Sequence, residues 1–447
     1  MERISVKAAD LQQYFDEFRR RQTEGDSSVP AADKQELQKR LKALEDELNH
    51  HLAGEYGVKV SDKVAYAKWV KSHQPFHWFI QFYGILNRGG FDVIIGNPPY
   101  VEFSRSGVTY RLPTMATTDC DNLWAFVIER AINLMGPTGR MSLITPLSLV
   151  SSERFAPAYK LLAATADCAT FLTLSGDAHP SVLFSGVKMS YTIFTYSKAP
   201  PQRTGHQLYF SKLYRWLAAE RENLFSVIEY YPAVQQSSIG IPFKIGCASA
   251  ATIIEKLSAK RTKVAQLERK SGVAVLYHRI VRHFVKALLT APFFSNERDG
   301  EKKSEDYKVV MVETAEEAKL VRSFLVSSTY YVFFIALSDA YHCGRDLVLA
   351  FPVSTDALTK AAASELRALG VRHEKHLFKN SVRRRIKYKA TGWIEYDEFY
   401  PRESKPILDE IDTVLAEHYG FTAEELDFIL NYDIKYRLGR DTEGDDE

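Results

Sequence analysis

The segment Phe91–Tyr100 constrains the fold of this chain more than any other. It reads Phe-Asp-Val-Ile-Ile-Gly-Asn-Pro-Pro-Tyr, so an apolar run typical of a buried strand leads into a polar turn. Both prolines fix φ and neither donates a backbone hydrogen bond, which makes the turn rigid. An ordinary end of a strand is the alternative interpretation. Because ligands bind at the carboxyl ends of strands in α/β sheets, we predict a functional site at Asn97, Pro98, Pro99 and Tyr100.

Length and composition predict a folded, multidomain protein. The chain has 447 residues, of which 45% are hydrophobic and 26% charged, enough for a sizeable core in two or three domains. No apolar run approaches the roughly 20 residues of a membrane span, and the first residues lack a signal-peptide pattern, so a cytoplasmic protein with no membrane partner is expected. The net charge of +2 means that nucleic-acid binding would require local clusters of charge.

Helix and strand patterns around the turn predict a β-α-β unit. A helix over Asp121–Met135, with Asp121 as its capping candidate, precedes a strand at Met141–Thr145. We expect that strand to be the parallel neighbour of Phe91–Ile95, joined by a right-handed crossover. A helix near Ser152–Ala164 and strands at Ala169–Leu174 and Met189–Tyr196 would complete one half of a mostly parallel sheet.

The flanking regions carry weaker signals. Residues 1–75 read as helical, most clearly at Asp33–His51, whose leucines favour a packing helix over an intermolecular coiled coil. Pro200-Pro201 marks a domain boundary. A last helix is predicted at Ala423–Tyr436, before an acidic tail at residues 441–447.

Histidines and cysteines do not predict a metal site. His73 and His77 are four residues apart, but Pro75 disfavours a regular helix between them, and we interpret both as members of an aromatic cluster. The four cysteines are far apart, without Cys-x-x-Cys spacing, so reduced structural thiols are expected.

A basic segment at Val371–Lys389 has two interpretations, a solvated face or a surface that contacts phosphates. Its candidate phosphate-binding residues are Arg372, Lys375, Lys379, Arg383, Arg384, Arg385, Lys387 and Lys389.

The central turn suits chemistry at an aromatic amine. The nitrogen of such an amine is a poor nucleophile because its lone pair is delocalised into the ring. Acceptors at the Asn97 side-chain oxygen and the Pro98 carbonyl could hold its two N–H bonds so that the lone pair can attack, and Tyr100 offers a face on which an extruded base can stack.

Asn97-Pro98-Pro99-Tyr100 after an apolar strand resembles the catalytic motif of S-adenosylmethionine-dependent DNA methyltransferases that modify adenine N6. Asp121–Phe126 resembles the next block of that family, and Val182-Leu183-Phe184 resembles the loop whose aromatic contacts the flipped adenine, which implies Phe184. Segments 404–412 and 425–439 resemble the C-terminal ends of type IIG restriction–modification methylases.

The resemblance implies a fold and a division of the chain. The fold would be α/β, with a partial Rossmann-like methyltransferase sheet, the catalytic half, and a C-terminal mixed α/β target-recognition domain. The expected regions are a helical segment (1–75), the catalytic half (76–200), the target-recognition domain (206–395), a C-terminal helical region (396–440) and the tail (441–447).

One departure from the family pattern concerns the cofactor. No glycine-rich turn after a strand, and no acidic ribose-binding residue, precedes the catalytic turn. We therefore expect Asn97 and Pro98 to form part of the S-adenosylmethionine site and a second polypeptide to bring the glycine-rich motif. Double-stranded DNA is the expected substrate, and a separate nuclease is a further candidate partner in a restriction–modification or phage-defence system.

Two other functions remain open at this point. The chain could be a catalytically silent DNA-recognition subunit of a defence complex, although an adenine pocket would then be unnecessary. A methyltransferase acting on RNA or on a protein glutamine is the third interpretation, which the large C-terminal region disfavours.

Overall fold

A computed structural model describes residues 13, 16, 17, 20, 31–107, 110, 114–176, 183, 184, 186–199, 206–234, 237–389 and 392–439. The predicted boundary at Pro200-Pro201, the acidic tail and most of the loop before Phe184 lie outside these residues. The chain divides into two compact units. Unit 1 comprises Met1–Leu143, Lys160–Cys168 and Thr195–His206, and unit 2 comprises Ile144–Tyr159, Ala169–Phe194 and Gln207–Glu447.

The structure is mixed α/β, which confirms the predicted class. Its described helices are α1 (Ala31–Glu55), α2 (Lys63–His73), α3 (Trp78–Gln81), α4 (Tyr83–Asn87), α5 (Leu123–Leu134), α6 (Ala156–Thr165), α7 (Ala248–Ser258), α8 (Val264–Leu267), α9 (Ala315–Val326), α10 (Ser328–Leu337), α11 (Arg345–Ala350), α12 (Lys360–Lys379), α13 (Lys405–Tyr419), α14 (Ala423–Asn431) and α15 (Ile434–Arg437). Its described strands are β1 (Phe91–Gly96), β2 (Met135–Pro146), β3 (Ala166–Leu174), β4 (Tyr191–Lys198), β5 (Gln207–Tyr214), β6 (Tyr231–Pro232), β7 (Val273–His278), β8 (Ala287–Leu288), β9 (Phe294–Asn296), β10 (Gly300–Glu301), β11 (Tyr307–Val312), β12 (Val382–Tyr388) and β13 (Gly392–Glu398).

Three sheets are formed. The first has the strand order β1-β2-β4-β3-β5-β6, the second β10-β9-β13-β12, and the third β11-β7-β8. Strands β1 and β2 run parallel, with Val93 opposite Arg140 and Ile95 opposite Ser142, so the predicted parallel pair is confirmed. Strands β5 and β6 are antiparallel, and the first sheet is therefore mixed.

The backbone just before β1 lies close to the backbone at the end of α5. Gly90 has φ of +121°, and a Cβ there would lie 2.5 Å from the carbonyl oxygen of Leu134, at the end of α5. Only glycine fits both the conformation and the space. The start of β1 is thereby held against the connection between α5 and β2.

The amphipathic helix predicted at Asp33–His51 is present as α1. Its buried residues Leu37 and Leu44 form a cluster with Ile80, and Leu41 and Leu48 pack against it within unit 1. The leucine spacing therefore corresponds to a packing face, in agreement with the preferred interpretation.

The core of unit 2 contains α9 and α10. All ten residues of α10 are buried. Among the described residues, no single helix is long and apolar enough to cross a membrane, while α9 and α10 meet these criteria only together, across a bend of 62°. Buried Asp412 of α13 accepts hydrogen bonds from the backbone N–H groups of Ser328 (2.8 Å) and Thr329 (2.9 Å) at the start of α10. These bonds satisfy helix N–H groups that would otherwise lack partners in the core.

The prediction of a single helix at Ala423–Tyr436 is wrong in one respect. The segment forms two helices, α14 and α15, because Asp433 between them adopts a left-handed conformation with φ of +53°. Its carboxylate forms a buried ion pair with Arg215, which accounts for the break.

Candidate functional site

The predicted catalytic turn follows β1 directly in unit 1. Asn97 and Pro99 are exposed, Tyr100 is half-buried and Pro98 is buried. Pro98 therefore anchors the turn, while the Asn97 amide faces solvent. Within the described part of the chain, no side-chain hydrogen bond occupies Asn97, and no backbone bond uses the Pro98 carbonyl. Neither of the two acceptors predicted from the sequence is therefore occupied by a hydrogen bond from the described residues.

The prediction that β1 is a buried core strand is wrong. The side chains of Val93 and Ile95 are 65% and 80% exposed. Among the described strands, β1 stands at the end of its sheet with β2 as its neighbour. The apolar sequence of β1 could not predict this exposure, because the buried central strands of parallel sheets are equally apolar.

The prediction that Asp121 caps the helix after the turn is wrong. The helix α5 begins at Leu123 after Asn122, and Asp121 has a left-handed φ of +47°. Its carboxylate instead accepts hydrogen bonds from the backbone N–H of Ser104 (2.9 Å) and the Ser104 hydroxyl (2.6 Å). The Asp121 carbonyl also accepts the N–H of Phe103 at 3.1 Å. Asp121 therefore connects the loop after the Asn97–Tyr100 turn to the start of α5.

A buried polar atom lies beside this loop. Asn122 is only 8% exposed, and its side-chain oxygen has no hydrogen-bond partner among the described residues. Asn122 forms an isolated antiparallel bridge with Glu102, two residues after Tyr100. An unpaired buried acceptor is costly, so this position suits a ligand that donates a hydrogen bond.

Phe184 lies in unit 2. Its ring is 44% exposed and meets buried Tyr191 edge to face, with 5.4 Å between the ring centroids. The preceding residue is also held, because the Leu183 carbonyl accepts a 2.7 Å hydrogen bond from Arg221. Phe184 is thus a supported aromatic ring with a free face, and its role toward a base remains a prediction.

The basic segment does not form one surface, because it changes from helix to strand. Arg372, Lys375 and Lys379 lie on α12, whereas Arg383 to Lys387 lie on β12. Three of its cations are paired with carboxylates: Arg372 with Glu410, Arg383 with Asp397, and Arg384 with Glu398. Within the described part of the chain, Lys375, Lys379, Arg385, Lys387 and Lys389 have no such partner.

The two histidines four residues apart have separate environments. The Nε2 atom of His77 lies 2.7 Å from the side-chain oxygen of Asn49, and burial lowers the pKa of His77. The ring of His73 stacks on Trp69. A group of three or more residues able to hold a metal ion is not found among the described residues.

The C-terminal segments that carried the family resemblance have structural roles in unit 2. The Asp412 carboxylate accepts hydrogen bonds at the start of α10. Arg437 is buried, with its guanidinium stacked 4.6 Å from the ring centroid of Tyr331 and its Nη2 atom 3.2 Å from the Ser328 hydroxyl. These residues stabilise the core and are not candidates for catalysis.

Comparison with known proteins supports the resemblance drawn from the motif. Residues 3–170 match the family model described as "Eco57I restriction-modification methylase". The matched region contains the predicted catalytic turn, and the match confirms the resemblance to restriction–modification methylases.

A curated relative is a proposed type II restriction enzyme and methyltransferase of Methanocaldococcus jannaschii, RM.MjaORFECS2P. It is 30% identical over 129 residues, which are 29% of this chain and 10% of the relative. The chain therefore spans about a tenth of the length of that protein.

Solved structures with a detectable likeness include two restriction–modification enzymes. One is the type IIL enzyme MmeI in complex with DNA, with a TM-score of 0.38, 11% identity, and coverage of 77% of this chain and 57% of the other. The second is a nuclease-deletion mutant of the type ISP enzyme LlaGI with a DNA substrate mimic, with a TM-score of 0.36, 10% identity, and coverage of 76% and 44%.

Proposed function

We propose that this chain, whose residues 3–170 match a restriction–modification methylase family, is the catalytic and DNA-reading part of a DNA adenine-N6 methyltransferase. The observation that carries the proposal is the Asn97-Pro98-Pro99-Tyr100 turn at the carboxyl end of parallel strand β1, with the Asn97 amide exposed. A restriction–modification or phage-defence system is the expected context.

The turn's residues have distinct roles in this proposal. The Asn97 side-chain oxygen and the Pro98 carbonyl accept the two N–H bonds of a flipped adenine, which frees the nitrogen lone pair for attack. Tyr100, and Phe184 from the loop before β4, are the proposed stacking surfaces for the base. S-adenosylmethionine supplies the methyl group as a sulfonium, an electrophile that needs no further activation. After transfer, the amine loses one proton to water.

The cofactor residues of this chain are proposed to be Asn97 and Pro98. The unpaired side-chain oxygen of Asn122 fits a ligand that donates a hydrogen bond. The glycine-rich and acidic residues are assigned to a second polypeptide.

The exposed edge of β1 supports such a partner. Ligand sites in open α/β sheets lie where strand order reverses, which requires strands on both sides of the strand that carries the site. Among the described strands β1 pairs only with β2, which leaves its other hydrogen-bonding edge open, and the exposed side chains of Val93 and Ile95 leave one face of the strand uncovered. Parallel sheets are normally covered on both faces. We therefore expect additional strands from the partner to continue the sheet at β1.

The test of the function is a methyl-transfer assay on duplex DNA. The chain is purified alone and together with the protein that co-purifies from its native host, and N6-methyladenine is quantified by mass spectrometry after nuclease digestion. We expect activity with the partner and weak or no S-adenosylmethionine binding by calorimetry without it. Tight cofactor binding by the chain alone would contradict the divided site. DNA binding without methylation in both preparations would favour the silent recognition subunit, and methylation of RNA or protein alone would contradict a DNA substrate.

Asp121 is predicted to be a positioning residue for this reaction. Asp121→Ala removes both bonds to Ser104, so the loop after the turn should lose its fixed position. We expect kcat to fall roughly tenfold, with the KM for DNA unchanged, because small misplacements of catalytic groups slow chemistry strongly. Asp121→Asn keeps a side-chain acceptor and tolerates the left-handed backbone, and it should restore most of the rate. Equal losses in kcat from both variants would contradict this role.

A further inference from the structure

The hairpin of β12 and β13 has a gradient of charge from its base to its tip. Its base, where Val382 pairs with Glu398, contains acidic residues at positions 395, 397 and 398. We define the distal half as residues 385–389 together with 392–394. This half contains Arg385, Lys387 and Lys389 and no acidic residue, and Arg385 lies at its limit, opposite Glu395 of the base.

Cations at the base are neutralised. The Nε atom of Arg383 lies 2.8 Å from a carboxylate oxygen of Asp397, and its guanidinium lies 3.6 Å from the ring centroid of Phe293. The Nε atom of Arg384 lies 2.7 Å from a carboxylate oxygen of Glu398. Arg383 and Arg384 therefore stabilise the hairpin and have little charge to offer a ligand.

Two of the three cations in the distal half contact an aromatic ring. The Arg385 guanidinium lies 4.7 Å and the Lys387 amine 5.8 Å from the ring centroid of Trp393. In the described part of the chain, neither side chain has an ion pair. Cation–π contact orders the side chains without cancelling their charge.

Two carboxylates beside the distal half contact groups other than Arg385 and Lys387. Glu395 is opposite Arg385 in the ladder, but its ion pair is with Arg383, at 3.9 Å. Glu297 accepts the backbone N–H of Trp393 at 2.9 Å. The distal half thus presents positive charge beside an exposed indole.

The position of β12 at the end of its sheet makes these cations accessible. Every residue of β12 is exposed, and β12 is an end strand of its sheet. Strand β13 pairs with β9 at residues 394–396, and the Glu297 N–H donates a 2.9 Å hydrogen bond to the Trp393 carbonyl, so the hairpin is a two-stranded ribbon only beyond Trp393. Seven residues of strand extend over about 24 Å, and the major groove of DNA is wide enough to admit such a ribbon.

We propose that the distal half of the β12–β13 ribbon binds the phosphate backbone of duplex DNA through Arg385, Lys387 and Lys389, with Trp393 ordering the first two. This inference rests on the proposed function only in taking duplex DNA as the substrate. It reduces the eight candidates of the basic segment to three that lie together on one exposed element.

The experiment measures DNA binding without cofactor, so its outcome does not depend on methyl transfer. Binding of a fluorescein-labelled, mixed-sequence 30-base-pair duplex to the full chain is followed by anisotropy between 50 and 200 mM salt. The test variant is Arg385→Gln/Lys387→Gln/Lys389→Gln. The matched control, Arg261→Gln/Lys270→Gln/Lys308→Gln, removes three charges from exposed residues elsewhere in unit 2. Circular dichroism confirms that both variants remain folded.

The test variant should lower duplex affinity tenfold or more at low salt, while the control changes it less than about threefold. For the test variant, the slope of log affinity against log salt should become shallower by about 0.9 for each phosphate that it no longer neutralises. An unchanged slope would overturn the proposal and leave the charges as protection of an edge strand against aggregation. Equal losses in both variants would overturn it as well. A defect confined to a labelled single strand or to RNA would contradict the assignment to duplex DNA.

Discussion

Replacing Asn97 with alanine is expected to lower methyl transfer roughly a hundred- to a thousandfold, the scale on which loss of one preorganised polar group slows an active site. The exposed Asn97 amide has no partner among the described side chains, so its removal should not disturb the fold. The variant loses one of the two acceptors that free the lone pair of the adenine amine. The measurement is single-turnover formation of N6-methyladenine with the partner present.

Two controls separate chemistry from structure. Asn87→Ala truncates an exposed asparagine at the end of α4 in the same unit and should keep full activity. Asn97→Asp retains an acceptor oxygen and should be less impaired than Asn97→Ala. Duplex affinity and the thermal unfolding midpoint should stay unchanged in both Asn97 variants. Wild-type turnover by Asn97→Ala would refute the assigned role.

The sequence predicted the turn after β1 and the pairing of that strand more reliably than the packing around them. Asn97-Pro98-Pro99-Tyr100 could be located because proline geometry is local, and the parallel pairing of β1 and β2 followed from the helix between them. Exposure of Val93 and Ile95 could not be predicted, since it depends on which elements cover that face of the sheet.

The hydrogen-bond and ion-pair partners of individual side chains were the least predictable feature of the structure. Asp121 has the residue type and position of a helix cap, yet its carboxylate binds Ser104, seventeen positions away in the chain. The basic segment reads as one run of charge, but the transition from α12 to β12 and pairing with Glu410, Asp397 and Glu398 divide it. Long-range contacts of this kind leave no periodic signal in the sequence. Trp393, which orders two of the remaining cations, was missed for the same reason.

A buried ion pair in unit 2 should have the largest effect on stability. Arg215 and Asp433 are only 4% and 5% exposed at their side chains, and Arg215 also lies 3.3 Å from the Tyr331 hydroxyl. Burial acts to lower the pKa of Arg215, but Tyr331 and Asp433 outweigh it and leave the pKa raised, so the guanidinium stays charged. The pair joins the end of β5 to the break between α14 and α15.

Arg215→Met is expected to destabilise unit 2 by about 3–5 kcal/mol, because it leaves the Asp433 carboxylate buried without its partner. Urea unfolding followed by the fluorescence of the adjacent buried Trp216 measures the loss. Asp433→Asn keeps a residue that tolerates the left-handed backbone, and it removes the stranded charge when combined with Arg215→Met. The double variant should therefore be more stable than the sum of the single losses predicts, by at least about 1 kcal/mol. Strict additivity, or a loss below about 1 kcal/mol for Arg215→Met, would show that the pair does not hold this part of the fold together.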